Sequence, residues 1–358
     1  MTTTAPLRVG VIGTGVWGCH ALEHYLVESP GVEIAAVTSS ERWGASQHSD
    51  PPEIAGRRHA TDLGAEFRDD WRDITGDPTI DIISLMTAPA FRREPAIVAL
   101  RSGKHVICDK PLAKTLEDAV AIADAESRSS GVGFMLCGMH TRPAVARLIA
   151  AVREGRIGTP HHARVELWFS GGIFPGFTPT RKWLDGTVGG EMTNIGSHAI
   201  RTLMVVAGDR PVAVSARTES RFYPEYQAVG AEDCAQLEVE FAGGLLGSTL
   251  CGRLPYNSRG ERFAVDVVGE RFAVDVVGDR GAVTVRGGEC RFEPDGEIFT
   301  DMISSVDAVR DDIARFLAAV RGEGSPVTTF GDGLIVNHVL DAAYHSASEC
   351  RLVSIADI

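Results

Sequence analysis

Three short stretches of this 358-residue chain carry residue types and spacings that chemistry needs. The first is Gly13-Thr14-Gly15-Val16-Trp17-Gly18, a GxGxxG turn between the apolar run Leu7 to Ile12 and a helical stretch that ends near Glu28. A strand before, a helix after and a second strand from Val32 to Val37 are the context in which such a turn holds a dinucleotide. Gly13 permits the tight turn and Gly15 lets the backbone approach a pyrophosphate. Gly18 lets helix and strand pack closely, and the helix N-terminus faces the anion. The second stretch is His105-Val106-Ile107-Cys108-Asp109-Lys110-Pro111, where an apolar run ends on two opposite charges and a proline. A residue before proline is pushed out of the helical region toward extended geometry. Lys110 therefore receives a constrained direction, which a solvated surface lysine does not need. The third is Asn194 and His198, spaced i, i+4 in a helical pattern and so expected on one face, with Glu191 and Arg201 near it.

The acidic partner that binds a ribose 2′-hydroxyl usually stands about 20 residues beyond the glycines. Here the residue 21 positions beyond Gly18 is Ser39, in Thr38-Ser39-Ser40-Glu41-Arg42. No carboxylate sits at the strand tip. The Ser39 and Ser40 hydroxyls and the Arg42 guanidinium suit a 2′-phosphate, which a carboxylate would repel. These residues favour NADP(H) over NAD(H) as the cofactor. Thr87, Ala88 and Pro89, which follow the strand pattern Asp81 to Met86, join Asp109 and Lys110 in the expected cofactor-binding set.

The elements that must position these residues alternate. Strand patterns at 7–12, 32–37, 81–86 and 105–108 are separated by helical ones, including Glu94 to Ser102 and Thr115 to Ser129 with Thr115 as its cap. This α/β order predicts an N-terminal Rossmann domain, a doubly wound parallel sheet over residues 1–138. Residues 139–358 have a different texture. A helix over 143–154 is followed by strand patterns at 162–169, 212–220, 234–241 and 245–251, and more to Arg286. One helix, 191–206, interrupts them and ends at Gly208. Helices at 306–320 and 331–348 close the chain. This predicts a C-terminal α+β domain for substrate binding and oligomerisation, built on a large, mainly antiparallel sheet, with the final helix able to pack back on the first domain. Within it, ERFAVDVVG at 261–269 is repeated unchanged at 270–278. The repeat is too short and isolated for a solenoid. It reads as a tandem duplication in which the second copy, followed by the hairpin pattern VVGDRGAVTV, keeps the strand position and the first lies in a loop or edge strand.

Composition bounds the partners. Lys and Arg total 35 against 48 Asp and Glu, a net charge of −13, which argues against nonspecific nucleic-acid binding and anionic membrane surfaces. No apolar run approaches the ~20 residues needed to span a bilayer, and the N-terminal residues have no leader pattern. Seven scattered cysteines without a CxxC pair are expected as reduced thiols in a cytoplasmic protein; no metal site is expected.

Taken together, the glycine turn, Gly103-Lys104-His105-Val106-Ile107-Cys108-Asp109-Lys110-Pro111, and Gly189-Gly190-Glu191-Met192-Thr193-Asn194-Ile195-Gly196-Ser197-His198 resemble the Gfo/Idh/MocA oxidoreductases over nearly the whole chain, in order and at family-like spacing. The resemblance implies an NAD(P)-dependent oxidoreductase acting on a secondary alcohol or ketone of a sugar, inositol or sugar derivative. Alternatives are a catalytically silent dinucleotide-binding regulator, or a reductase of an imine or non-sugar carbonyl. It also implies a homo-oligomer, dimer or tetramer, formed through the C-terminal sheet. In the family's Glu-Lys-Pro motif the lysine bonds the substrate oxygen that gains or loses a proton, and Lys110 falls on that position. A cation beside a developing alkoxide stabilises it. Asp109 stands where the family has glutamate. His198 matches the histidine that contacts the reacting hydroxyl, and Asn194 replaces the usual aspartate. Lys110, His198 and Asn194 are thus the expected catalytic residues, with Arg181 and Trp183, beside Lys182, as further substrate contacts. Arg92 and Arg201 stand where many members carry histidine and aspartate. They suit either an anionic substrate or internal carboxylates.

Overall fold

The computed structural model of the chain describes residues 5–14, 24–39, 52–170, 189–254, 271–286, 289–293, 296–300 and 305–355. The described residues fall into two units. The first holds those up to Leu136 together with Val309–Asn337, and the second those of Cys137–Pro179, Gly189–Ala308 and His338–Ile358.

In the first unit, β1 (Leu7–Ile12), β2 (Val32–Thr38), β3 (Glu66–Phe67), β4 (Ile82–Leu85), β5 (His105–Asp109) and β6 (Gly133–Leu136) form one sheet in the order β3-β2-β1-β4-β5-β6. Every pairing is parallel. Such strands are covered on both faces and so run continuously apolar; Ile82-Ile83-Ser84-Leu85 is buried throughout. Helices α1 (His24–Glu28), α2 (Pro52–Leu63), α3 (Trp71–Thr75), α4 (Arg93–Arg101) and α5 (Leu116–Ser127) lie between the strands in sequence. The Thr115 hydroxyl accepts from the Asp118 amide at 3.2 Å, the cap expected from the sequence. Val9, Val11, Ile82, Ile107 and Phe134 build the core, which also takes Ile313, Phe316 and Leu317 from the late helix Ser305–Val320. Phe316 stacks on Phe134 with ring centroids 5.5 Å apart. The strand order reverses at β1 and β4, so the carboxyl ends of these strands open the crevice where doubly wound sheets bind ligands. Gly13, Ser39, Thr87 and Lys110 follow the ends of β1, β2, β4 and β5.

Among the described residues the second unit carries nine strands. They are β7 (Pro160–Ser170), β8 (Pro211–Glu219), β9 (Cys234–Phe241), β10 (Leu246–Leu254), β11 (Arg271–Gly278), β12 (Gly281–Arg286), β13 (Glu289–Glu293), β14 (Ile298–Thr300) and β15 (Val353–Ser354). The order is β14-β13-β12-β11-β7-β10-β9-β8-β15. All pairings are antiparallel except β7 with β10. In β9 burial alternates strictly, with Ala235, Leu237, Val239 and Phe241 inward, as expected when one face of a sheet is covered. The second repeat copy forms β11 and turns at Asp279-Arg280 into β12, as the sequence predicts; the first copy lies outside the described residues. Helix α6 (Pro143–Arg153) precedes β7. The expected helix over 191–206 is not uniform. Met192–Gly196 is a π-helical segment, and α7 (Ser197–Ala207) follows it. Gly208 ends α7 with φ +64°, its amide donating to Met204 O, a left-handed cap that favours glycine.

Candidate active site

The residues expected to hold the cofactor lie at the carboxyl edge of the parallel sheet. Gly13 leaves β1 with φ +107°, and its amide donates to Thr38 O at 3.0 Å. A Cβ there would lie 2.8 Å from Met86 O, so the turn that lets β1, β2 and β4 end together requires glycine. Thr14 follows it; Gly15, Val16, Trp17 and Gly18 lie outside the described residues. Ser39 is buried, and a Cβ on Gly56 of α2 would come within 2.5 Å of its hydroxyl oxygen. That oxygen has no hydrogen-bond partner among the described residues. The observation that fits a bound dinucleotide is the Gly13 turn at the end of β1, which only glycine can make. Because the Ser39 hydroxyl is covered by α2, any discrimination between ribose and its 2′-phosphate falls to its neighbours. Ser40, Glu41 and Arg42 lie outside the described residues. Thr87 and Pro89 are buried at the end of β4, where Pro89–Phe91 forms a single 3₁₀ turn after Ala88.

Lys110 follows the last residue of β5 and is half-buried; its peptide bond to Pro111 is cis. The segment beyond is held by Asn337, whose Nδ2 donates to Ala113 O at 2.9 Å. Arg92 does not face outward to greet a substrate. It is 1% exposed and turned into the main chain. Its Nε and Nη2 donate to Thr87 O at 3.0 and 2.7 Å, and its Nη1 donates to the carbonyls of Asp109 and Pro111. Nη2 also lies 3.8 Å from the Asp109 carboxylate. Burial lowers the Arg92 pKa, an effect that Asp109 opposes. Burial likewise pushes the adjacent Cys108 thiol up to about 12, so it stays protonated.

In the second unit the polar groups centre on Glu191, which is fully buried. Its carboxylate accepts from Arg253 Nε at 2.7 Å, from Asn194 Nδ2 at 3.1 Å and from the Tyr226 hydroxyl. Burial alone would lower the Arg253 guanidinium, but Glu191 beside it raises it. The Tyr226 phenol is raised by burial and then by Glu191, so it remains a donor. Next to this group, Glu232 Oε1 accepts from Met192 N and from the Tyr344 hydroxyl, both at 2.9 Å, and Tyr344 also bonds Thr193 Oγ1 at 2.8 Å. Burial pushes Glu232 up to about 7. A Cβ on Gly190 would lie 2.0 Å from the Glu232 carboxyl carbon, which explains a glycine just before the π-helical segment. His198 Nδ1 lies 3.5 Å from the buried Cys137 Sγ. Asn194 and His198, expected on one face, thus have separate anchors: Glu191 for one and Cys137 for the other. Arg201 is buried on α7. Arg181, Lys182 and Trp183 lie outside the described residues. Sequence reasoning missed Tyr226, Glu232, Arg253, Tyr344 and Cys137. The one available signal was Arg253, a charge inside the strand run Leu246–Leu254.

A parallel six-stranded sheet with a glycine turn at its carboxyl edge and a mixed, mostly antiparallel nine-stranded sheet define the class of fold among the described residues. Residues 7–136 match the family model described as oxidoreductase family, NAD-binding Rossmann fold, and residues 145–284 match the GFO/IDH/MocA C-terminal domain. The chain belongs to the Gfo/Idh/MocA oxidoreductases. It is 34% identical over 176 residues to 1,5-anhydro-D-fructose reductase of Ensifer adhaerens, covering 49% of this chain and 51% of that protein. It is 33% identical over 159 residues to levoglucosan dehydrogenase of Pseudarthrobacter phenanthrenivorans, covering 42% and 38%. Inositol 2-dehydrogenase 3 of Saccharopolyspora erythraea is 32% identical over 158 residues, covering 43% of each. The matched stretch thus spans about half of these relatives' length, or less. The fold is that of levoglucosan dehydrogenase in complex with NADH, with a TM-score of 0.82 at 23% identity over 99% of this chain and 100% of that one. GenD2 from gentamicin A biosynthesis, in complex with NAD, has a TM-score of 0.78 at 23% identity over 100% and 98%. No helix among the described residues is long and apolar enough to cross a membrane.

Proposed function

We propose that the protein interconverts a secondary alcohol and a ketone on a sugar, inositol or sugar derivative, using a nicotinamide dinucleotide. The observation that carries this reading is the position of Lys110. It stands at the end of β5, on the same carboxyl edge of the parallel sheet as the Gly13 turn and Thr87. When bound, the nicotinamide accepts or supplies the hydride. The chain's part is the proton. In the oxidative direction Lys110 Nζ takes the hydroxyl proton as the carbinol C–H bond breaks; in the reductive direction it returns the proton to the developing alkoxide. Asn194, held by Glu191, and His198, held by Cys137, offer hydrogen bonds to the hydroxyls of a polyol. The relatives that act on anhydrosugars and inositols support that substrate class.

The cofactor preference proposed is NADP(H) over NAD(H). No carboxylate stands in Thr38-Ser39-Ser40, and Arg42 follows; with the Ser39 hydroxyl covered by Gly56, the preference rests on Ser40 and Arg42. The free cysteines among the described residues support a cytoplasmic location. Exposed Leu246 and Val277 on the nine-stranded sheet support a homo-oligomer formed through it. Incubation with each oxidised cofactor and a panel of polyols and anhydrosugars tests the reading. Substrate-dependent formation of reduced nicotinamide supports it. Tight cofactor binding with no turnover across the panel assigns the chain to dinucleotide binding alone.

A further inference from the structure

We propose that Arg92 is a positioning residue for Lys110, fixing the lysine by gripping the main-chain carbonyls on either side of it; this rests on the role proposed above for Lys110.

The guanidinium has five N–H donors in a planar fork. Nε and Nη2 both reach Thr87 O, at the end of β4. Nη1 reaches the carbonyls of Asp109 and Pro111, the residues that flank Lys110. Nη2 also lies 3.8 Å from the Asp109 carboxylate. One buried side chain thus ties the end of β4 to both neighbours of Lys110. Every partner it has among the described residues is main chain, except the Asp109 carboxylate. Burying a charge is a poor way to gain stability, because well-packed apolar groups of the same volume usually do as well or better. Its geometric effect is more specific. The lysine Cα is held between two anchored carbonyls, and the same guanidinium sets its distance from the β4 loop. A lysine at 92 would keep the charge but lose the planar fork and two of its five donors, and could not grip the three carbonyls in the same way.

Placement errors of about 1 Å can lower turnover by ~10²-fold. Arg92→Lys and Arg92→Gln are therefore expected to lower kcat by ~10-fold to ~10²-fold, with KM and the cofactor dissociation constant within about threefold of wild type. The decisive comparison is a double-mutant cycle. If Arg92 acts through Lys110, Arg92→Lys adds no further loss in a Lys110→Met background. A full additional loss in that background, or single variants within about threefold of wild type in kcat, would overturn the proposal. A second measurement stands independently of turnover. The chain has four lysines, 104, 110, 114 and 182, so reductive ¹³C-methylation gives few and assignable resonances. Arg92→Gln is expected to move the titration midpoint of the Lys110 signal while leaving that of Lys114 in place. An unchanged Lys110 midpoint contradicts the positioning role whether or not the protein turns over. If wild type and Lys110→Met turn over equally while the Lys110 signal still moves in Arg92→Gln, the role proposed for Lys110 fails and the clamp stands.

Discussion

The Asn194 side-chain amide donates to the Glu191 carboxylate at 3.1 Å. An aspartate in place of this asparagine would set two carboxylates against each other in a buried setting. Repulsion would raise the new group's folded pKa above its unfolded value of about 3.9. A group raised on folding stabilises most below its unfolded pKa and loses that contribution as pH rises through the folded one. Asn194→Asp is therefore expected to match wild type near pH 4 and to be less stable at pH 7 by about 1–3 kcal/mol, with no gain in activity. Urea unfolding across that range checks the sign. Equal stability at both pH values would mean that Glu191 does not depend on this donor.

Glu232 follows the same logic in the wild-type chain. Burial raises its pKa from 4.5 to about 7 in the fold. Its contribution is then present below about pH 4.5 and is lost as pH rises through about 7. Glu232→Gln keeps the shape and an acceptor for Met192 N and Tyr344 but removes the titration. The stability of the variant relative to wild type should rise between about pH 4.5 and pH 7 and level off above it. Parallel pH profiles of the two proteins would contradict a raised Glu232.

How much of this was legible in the sequence depended on whether a group's partner leaves a trace there. β1, β2, β4 and β5 were readable because parallel strands are apolar from end to end, and Lys110 was readable because it breaks such a run. β3 is two residues long and β6 is four, too short for a period. α2 begins at a proline and contains Gly56, which weakens its helical signal. The role of Arg92 could not be read because its main partners are carbonyls, and every residue has one. The Glu191 cluster draws on residues 191, 194, 226 and 253, which only the fold brings together.

The tandem repeat yields a stability prediction. The second copy supplies β11, whose Val274 and Val276 are fully buried between β7 and β12. Deleting residues 261–269 is expected to leave a folded protein with a melting temperature within about 4 °C of wild type, a change of ~1 kcal/mol or less. Circular dichroism and thermal melting decide it. Aggregation, or loss of an oligomer that wild type forms, would mean that the first copy has taken a structural role.

Cofactor preference is separable from catalysis. Fluorescence titration is expected to give tighter binding of NADPH than of NADH. Arg42→Ala should weaken NADPH binding by about tenfold or more, as for a lost hydrogen bond to a charged group, and leave NADH within about twofold. Tighter NADH binding by wild type would reverse the assignment.

The function proposed above places the proton of a dinucleotide-dependent oxidation on Lys110. The most direct test compares wild type with Lys110→Met, following reduced nicotinamide with the best polyol or anhydrosugar substrate and measuring cofactor affinity on the same samples. The expected result is a loss in kcat of ~10²-fold or more, with the cofactor dissociation constant within about threefold of wild type. A Lys110→Met protein that turns over within about threefold of wild type would contradict it.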